Sequence, residues 1–306
     1  MLLKSENFSS DGDHIQNLFF HKILKSAAIP ALIFILNFLA YYPSLDGDFV
    51  FDDISLIKND SFYSSDARSG LIDSWGRNYW GDNKDQGLYR PLTICCYKLT
   101  GIAAGLNPFW FRLGNLCLHF TASLLLYFYL RNFLQKEKFA IFAAFLFAVH
   151  PIHSEAVVPA FGRAELLCFI FIIAGFICHR QVRGKIFPAI FAGIFSLFAL
   201  WSKENALIFI PLCFLHDWYE RKIVLNRNFL TKYSVYLCFF CGYLILKYFS
   251  AGYIFPDLGR NFEPAIDNVI AAQAFPMRFL SAAVVQGLAV YKIIFPAHLS
   301  HDYSFA

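Results

Sequence analysis

Charge is what this chain has least of. Only 16% of its 306 residues are Asp, Glu, Lys or Arg, while 58% are hydrophobic, 19% are aromatic and the mean hydropathy is +0.48. A soluble domain carries about one quarter charged residues, so the shortage excludes an ordinary water-soluble globule. It also empties the net charge of +4 of any nucleic-acid meaning, because the positive residues sit in short loops between apolar runs. A disulfide framework is missing too. All eight cysteines (Cys95, Cys96, Cys117, Cys168, Cys178, Cys213, Cys238 and Cys241) lie in or beside apolar stretches. Cys238 and Cys241 have CxxC spacing, but inside YLCFFCGYLIL, where no polar loop supports a zinc or redox reading; they are expected to be small buried side chains. No internal repeat or low-complexity segment is present. No small-residue cleavage site follows the first apolar run, which therefore reads as an uncleaved span after a cytoplasmic tail at 1–26.

Long apolar runs are abundant. They predict spans near 27–44, 109–131, 139–153, 164–180, 186–202, 205–219 and 231–250, with a further segment at 276–297. Several approach the roughly 17–25 residues a helix needs to cross about 30 Å of hydrocarbon. The fold class is thus all-α integral membrane, a multi-pass helical bundle over 27–306. Lys22 and Lys25, then Arg131, Lys136 and Lys138, then Arg180, Arg183 and Lys185, then Arg221, Lys222, Arg227 and Lys232 make every second connection basic. That pattern places the N-terminus in the cytoplasm. The first external loop, about 45–108, is far longer than a turn. It holds nine Asp residues (46, 48, 52, 53, 60, 66, 73, 82 and 85) together with Trp75, Tyr79 and Trp80. Within it, 91–105 reads as a surface or re-entrant helix.

Five polar groups fall at outer ends of spans. DGDFVFDD supplies Asp48, Asp52 and Asp53; YRPL supplies Tyr89 and Arg90; HPIHSE supplies His150, His153 and Glu155; GRAE supplies Arg163 and Glu165; SKEN supplies Lys203 and Glu204. Charge at membrane depth costs a few kcal/mol and persists mainly where it is paired or used. Alternating topology puts all five groups on one face, which points to a shared cavity. Cations at headgroup level suit a phosphate whose tail stays in the bilayer, with Arg as a bidentate fork and Lys as a point charge. A carboxylate beside them can take a proton from an attacking hydroxyl. Asp52 is the base candidate, whereas Asp53 could cap a helix starting at Ile54. Arg163 and Lys203 could equally pair with Glu165 and Glu204, or snorkel at span ends. His150 and His153 have a spacing that metals can use, but Pro151 interrupts the helical face and no metal ligand is assigned.

The series DGDFVFDD, YRPLT, GLNPFWFRLGNLCLH, HPIHSEAV, GRAELL and LWSKENA, in this order and followed by FPAHLSHDYSF, resembles the TMTC-type glycosyltransferases, the transmembrane and tetratricopeptide-repeat O-mannosyltransferases of animals and their bacterial relatives. The resemblance implies a GT-C membrane fold with its active site at the outer face. It implies a polyprenyl-phosphate sugar as donor substrate, a protein Ser/Thr hydroxyl as acceptor, mannose or a similar hexose as the group transferred, and no certain cofactor. Asp52 then takes the place of the acidic residue that GT-C enzymes carry in their first external loop, acting as base with Asp53 assisting. Arg90, Arg163 and Lys203 are the candidates for the donor phosphate, and Asp48, Tyr89, His150, His153, Glu155, Glu165 and Glu204 complete the pocket. Family members continue through further spans into a repeat array, so a chain of 306 residues is expected to be incomplete at its C-terminus. The expected partners are the lipid-linked donor, a protein acceptor and membrane lipid, not nucleic acid. A bacterial inner membrane is the expected location, with the endoplasmic reticulum as the alternative. Two other readings stay open at this level: a transporter or flippase of a lipid-linked substrate, which would favour an internal repeat and helices broken near the midplane, and an inactive membrane scaffold.

Overall fold

The computed structural model describes residues 27–64, 67–81, 88–134, 136–182, 186–220, 227–252, 254, 274–297 and 299. The tail at 1–26 with Lys22 and Lys25, the basic residues Arg183, Lys185, Arg221 and Lys222, the carboxylates Asp66, Asp82 and Asp85, most of the 251–275 connection and most of FPAHLSHDYSF lie outside the described residues. No β-strand occurs among the described residues, and the chain is an all-α multi-pass membrane protein.

Among the described residues ten helices of seven or more residues organise it: α1 (Ala27–Asp46), α2 (Ala67–Asp73), α3 (Pro91–Ala104), α4 (Pro108–Leu134), α5 (Glu137–Val149), α6 (Arg163–Arg180), α7 (Ile186–Ser202), α8 (Phe209–Tyr219), α9 (Arg227–Ala251) and α10 (Phe275–Ile294). Among the described residues, α1, α4, α9, α10 and the segment Ala160–Arg180 are long and apolar enough to cross a membrane. The expected third span is different. Pro151 lacks an N–H and clashes with a continuing helix, so α5 ends at Val149 and the chain turns by 48° into Pro151–Val157. The outer end of that span is a bent ledge rather than a straight helix.

In lipid there is no hydrophobic force between helices, so close packing of small residues does the work. Along α5, Ala140, Ala144 and Ala148 are fully buried against Ile33 of α1 and Tyr127 of α4. Along α7, Ala189, Ala192, Gly193, Ser196 and Ala199 are buried, with α6 on one side and α9 on another. A Cβ on Gly193 would stand 2.3 Å from the Phe239 ring, which is why α9 can lie so near. Large apolar residues face outward, among them Leu39, Phe142, Phe187 and Phe249. Cys238 and Cys241 share that outward surface, so the expectation that they are buried is corrected: α9 turns its CxxC face to lipid.

The first loop is a folded cap with its own aromatic core. Phe49, Leu56, Ile57, Tyr63, Tyr79, Ile94 and Tyr97 pack with Phe111 of α4 and Ala160. Helix α3 starts on Pro91, whose missing N–H costs nothing at a helix start, and it ends at Gly105, which adopts φ +69. It is not a surface helix: Thr93, Ile94, Tyr97 and Lys98 are fully buried, and the Thr93 hydroxyl donates to the Ser202 carbonyl at the end of α7 at 3.0 Å. Arg112 of α4 donates to the carbonyls of Ser44 and Asp48, tying the loop's start to the bundle. A Cβ at Gly47 would lie 1.9 Å from that guanidinium, so a larger residue there would have to displace the Arg112 head group. At the opposite end of the bundle the basic connections gather as the alternation predicts. Arg180 at the end of α6 donates to the Asn132 carbonyl of α4 at 3.1 Å, and Lys232 of α9 pairs with Asp217 of α8.

Candidate active site

One cavity of about 510 Å³ opens between the loop cap, the Pro151–Val157 ledge and the start of α6. Asp52, Arg90, His153, Glu155, Glu165 and Lys203 all line it. They come from the first loop, the approach to α3, the ledge, α6 and the α7–α8 connection, so all five sequence clusters reach it, and only HPIHSE does so with two of its predicted residues. The DGDFVFDD group reaches it through Asp52 alone.

Asp52 and Asp53 are adjacent, and the backbone sends them to different tasks. Phe51 has φ +47, a left-handed conformation that costs an aromatic residue about 1–3 kcal/mol. The turn is closed by Asp53 N–H to the Val50 carbonyl at 2.9 Å and Ile54 N–H to the Phe51 carbonyl at 3.1 Å. Asp52 emerges half-buried on the cavity wall. Asp53 points the other way and is fully buried. Its carboxylate accepts N–H bonds from Phe161 at 2.8 Å, Ala160 at 3.1 Å and Val50 at 3.3 Å. Burial pushes its pKa up from the usual 3.8, while those three donors and the Arg112 charge pull it back. Two sequence readings of Asp53 are thereby corrected. It does not cap a helix at Ile54, and it does not line the cavity as an assisting acid. It clamps the loop to the turn that precedes α6.

Both cavity cations are held by carboxylates. Arg90 donates from Nε and Nη2 to Glu204 Oε2 at 2.9 and 2.8 Å, and its guanidinium carbon lies 4.5 Å from the centre of the Tyr79 ring. Burial lowers the Arg90 pKa, but the Glu204 charge and hydrogen bonds outweigh it and hold the group above its ordinary range. Lys203 pairs with Glu165. Glu204 therefore serves Arg90 from behind, while Glu165 reaches the cavity itself. Tyr89 is buried and packs on Tyr243 of α9; burial pushes its phenol up to about 12, so it stays neutral.

Arg163 is the largest departure from expectation. It is 3% exposed and does not line the cavity. Its guanidinium donates to Asn115 Oδ1 at 3.1 Å, the Cys96 carbonyl at 2.9 Å, the Thr100 hydroxyl at 2.7 Å and the Phe111 carbonyl at 3.0 Å. Four of its five N–H groups are spent on joining α3, α4 and α6, which leaves no fork for a phosphate. The donor-phosphate reading of Arg163 is withdrawn. Asp48 is exposed outside the cavity, with its backbone carbonyl taken by Arg112. His150 is also outside: its Nδ1 accepts from Ile152 N–H at 3.2 Å, and its Nε2 lies 3.0 Å from the Ile293 carbonyl of α10. His150 and His153 have ring centres 6.1 Å apart and, among the described residues, belong to no metal-binding group.

Sequence reasoning missed His119, which lies inside GLNPFWFRLGNLCLH. It lines the cavity from the middle of α4, with Nε2 3.3 Å from the Ala148 carbonyl, no hydrogen bond at Nδ1 and its ring 5.2 Å from that of His153. Its signal was available as a titratable residue inside an apolar span. A second cavity of about 570 Å³ adjoins the first and shares Ile152 and Glu155 with it. Val50, Phe51, Val158, Val284, Val285 and Leu288 make it apolar.

No family model matches the chain, and no solved structure matches it. Curated proteins do. It is 33% identical to human protein O-mannosyl-transferase TMTC1 over 214 residues, covering 63% of this chain and 24% of that protein. It is 32% identical to mouse protein O-mannosyl-transferase TMTC3 over 187 residues, covering 58% of this chain and 20% of the relative. It is 27% identical to protein O-mannosyl-transferase F38B6.6 of Caenorhabditis elegans over 280 residues, covering 88% of this chain and 38% of the relative. The chain thus spans about a quarter of the length of the first two. The ordered motifs of its loops and these alignments together make the chain similar to the TMTC protein O-mannosyl-transferases.

Proposed function

We propose that this chain forms the donor-binding and catalytic part of a membrane glycosyltransferase, which moves mannose or a similar hexose from a polyprenyl phosphate to a Ser/Thr hydroxyl of a protein. The relatives' names, protein O-mannosyl-transferase, support the sugar and the acceptor class. One observation carries the site assignment: a cavity with three carboxylates and two cations lies beside an apolar cavity and shares two residues with it. A lipid phosphate needs that pairing, with its headgroup in the polar chamber and its first isoprene units in the apolar one. The basic ends of α4, α6 and α9 lie at the other end of the bundle, which by the positive-inside rule supports a non-cytoplasmic cavity.

The roles follow from the geometry. Arg90, braced by Glu204 and stacked on Tyr79, presents a preorganised guanidinium to the phosphate leaving group, and Lys203 adds a second positive charge. Developing charge on that phosphate is stabilised by groups already in place. Asp52 accepts the proton of the acceptor hydroxyl as the oxygen attacks the anomeric carbon, and the bond to the phosphate oxygen breaks. Asp53, Arg112 and Arg163 hold the frame. The test is transfer of labelled hexose from polyprenyl phosphate to acceptor protein in proteoliposomes, with Asp52→Asn against the unsubstituted protein. Asp52→Asn should abolish transfer while insertion and donor binding persist; full transfer by that variant would remove Asp52 as the base.

A further inference from the structure

At the other end of α6 a second polar group is enclosed that the proposed transfer reaction does not use. His179 lies 14 residues beyond Glu165 on the same helix, about 21 Å along its axis at 1.5 Å per residue. It meets His216 and Asp217 of α8, and one donor atom from each of the three lies within 4.8 Å of the others. His179 is 2% exposed, Asp217 3% and His216 9%. Three observations mark this as a built site rather than a chance contact. First, both ring nitrogens of His216 are buried without a hydrogen bond, an expensive condition for polar atoms. Second, His179 Nε2 stands 3.2 Å from Asp217 Oδ1 but outside hydrogen-bond alignment. Third, the far sides of His179 and Asp217 are braced, while His216 has the Glu220 carboxylate nearby without a hydrogen bond. His179 Nδ1 lies 2.9 Å from the Tyr236 hydroxyl; Asp217 Oδ2 accepts from Lys232 and, at 2.8 Å, from Tyr233; His216 Nε2 lies 3.6 Å from Glu220 Oε1.

Metal-binding imidazoles show that bracing, with the second nitrogen turned to an oxygen that fixes the ring. A tetrahedral ion with bonds of about 2.0–2.1 Å sets its ligand atoms about 3.3 Å apart, close to the His179–Asp217 separation. Two imidazoles and one carboxylate select a borderline transition ion over magnesium or calcium. The nearby cations are already neutralised: Lys232 by Asp217 Oδ2, and Arg180 by Glu220 at 4.0 Å. We propose that His179, His216 and Asp217 bind one zinc-like divalent ion, which fastens α6 to α8 at the end of the bundle remote from the cavity. The site is independent of the transferase reading.

The experiment uses the purified full chain in detergent, stripped with chelator, re-equilibrated with micromolar zinc and passed through a desalting column. Elemental analysis should find about one zinc per chain, and zinc but not magnesium should raise the thermal midpoint. The double variant His179→Gln/His216→Gln should retain at least tenfold less zinc. Tyr236→Phe, which keeps the packing and removes only a brace, should bind zinc about tenfold more weakly. Zinc below a tenth of an equivalent in the unsubstituted chain would overturn the proposal. So would zinc that stays undiminished in the double variant, since the ion would then sit on outward-facing cysteines.

Discussion

Replacing Arg163 separates a structural bolt from a phosphate ligand. Arg163→Lys keeps the charge but exchanges a planar fork for a point donor with three hydrogens. From one position an ammonium can satisfy at most two of the four acceptors, Asn115 Oδ1, Thr100 Oγ1 and the carbonyls of Cys96 and Phe111. Two of the guanidinium's four hydrogen bonds are then lost, at about 1–3 kcal/mol each, for a loss on the order of 2–6 kcal/mol, at the lower end where the Cys96 carbonyl is one of them, because it also accepts from the Thr100 hydroxyl at 3.0 Å. At about 2–4 °C per kcal/mol for a domain of this general size, the apparent midpoint should fall by roughly 5–20 °C. Arg163→Leu should fall at least as far, because all four hydrogen bonds from the guanidinium go. The assay is thermal unfolding in detergent followed by tryptophan emission, run beside binding of a polyprenyl-phosphate sugar by the fraction that remains folded. A midpoint unchanged within 1 °C together with lost donor binding would refute the bolt and return Arg163 to the phosphate.

Other substitutions probe the remaining assignments. Arg90→Lys loses the two-point contact with Glu204 and the stack on Tyr79, so donor affinity should weaken about tenfold; an unaltered donor KM would put the phosphate elsewhere. Asp53→Asn turns an amide donor toward the N–H groups of Ala160 or Phe161 and should cost about 1–3 kcal/mol, read as a lower unfolding midpoint near neutral pH. The pH dependence has a definite sign. The folded Asp53 pKa lies above the unfolded value of 3.8, so the folded state binds the extra proton, and this residue's contribution falls as pH rises from 3.8 through the folded value. Subtracting the Asp53→Asn profile from that of the unsubstituted chain should leave this downward slope, and an upward one would contradict the assignment. Ala144→Leu on the buried α5 stripe should cost about 1–3 kcal/mol by overpacking, whereas the same change at the half-buried Ala143 should cost less, read as a smaller fall in the unfolding midpoint.

The spans were legible because lipid makes composition periodic on the scale of whole helices. Runs of apolar residues bounded by Lys and Arg gave their order, whereas the bend at Pro151 falls inside the span expected at 139–153. Which cation meets which carboxylate was not legible. Glu204 follows Lys203 directly, yet it braces Arg90 across 114 positions, and the partner of Lys203 is Glu165. In a helix so apolar on all sides, rotation about its axis is fixed by small-residue contacts with neighbours, which a single chain read linearly does not display. Arg163 and Glu165 show the consequence: two residues apart, they sit about 200° apart on α6, one among buried carbonyls and one in the cavity. Asp53 eluded the reading for a related reason, since its backbone donors belong to Ala160 and Phe161, more than one hundred positions away. His119 and the His179–His216–Asp217 group were present as polar residues within apolar runs, a cue that span-end clusters overshadowed.

The lashing of Asp53 to the Ala160–Phe161 turn has a consequence for how such a protein tolerates change. The next residue back, the proposed base Asp52, is located by the turn that opens a membrane segment as well as by the cap that follows it. Insertions or replacements in the outer part of the cap, around α2 for example, can therefore reshape whatever meets the incoming acceptor with a smaller shift of the proton acceptor itself. Recognition and chemistry are partly decoupled at a single peptide unit.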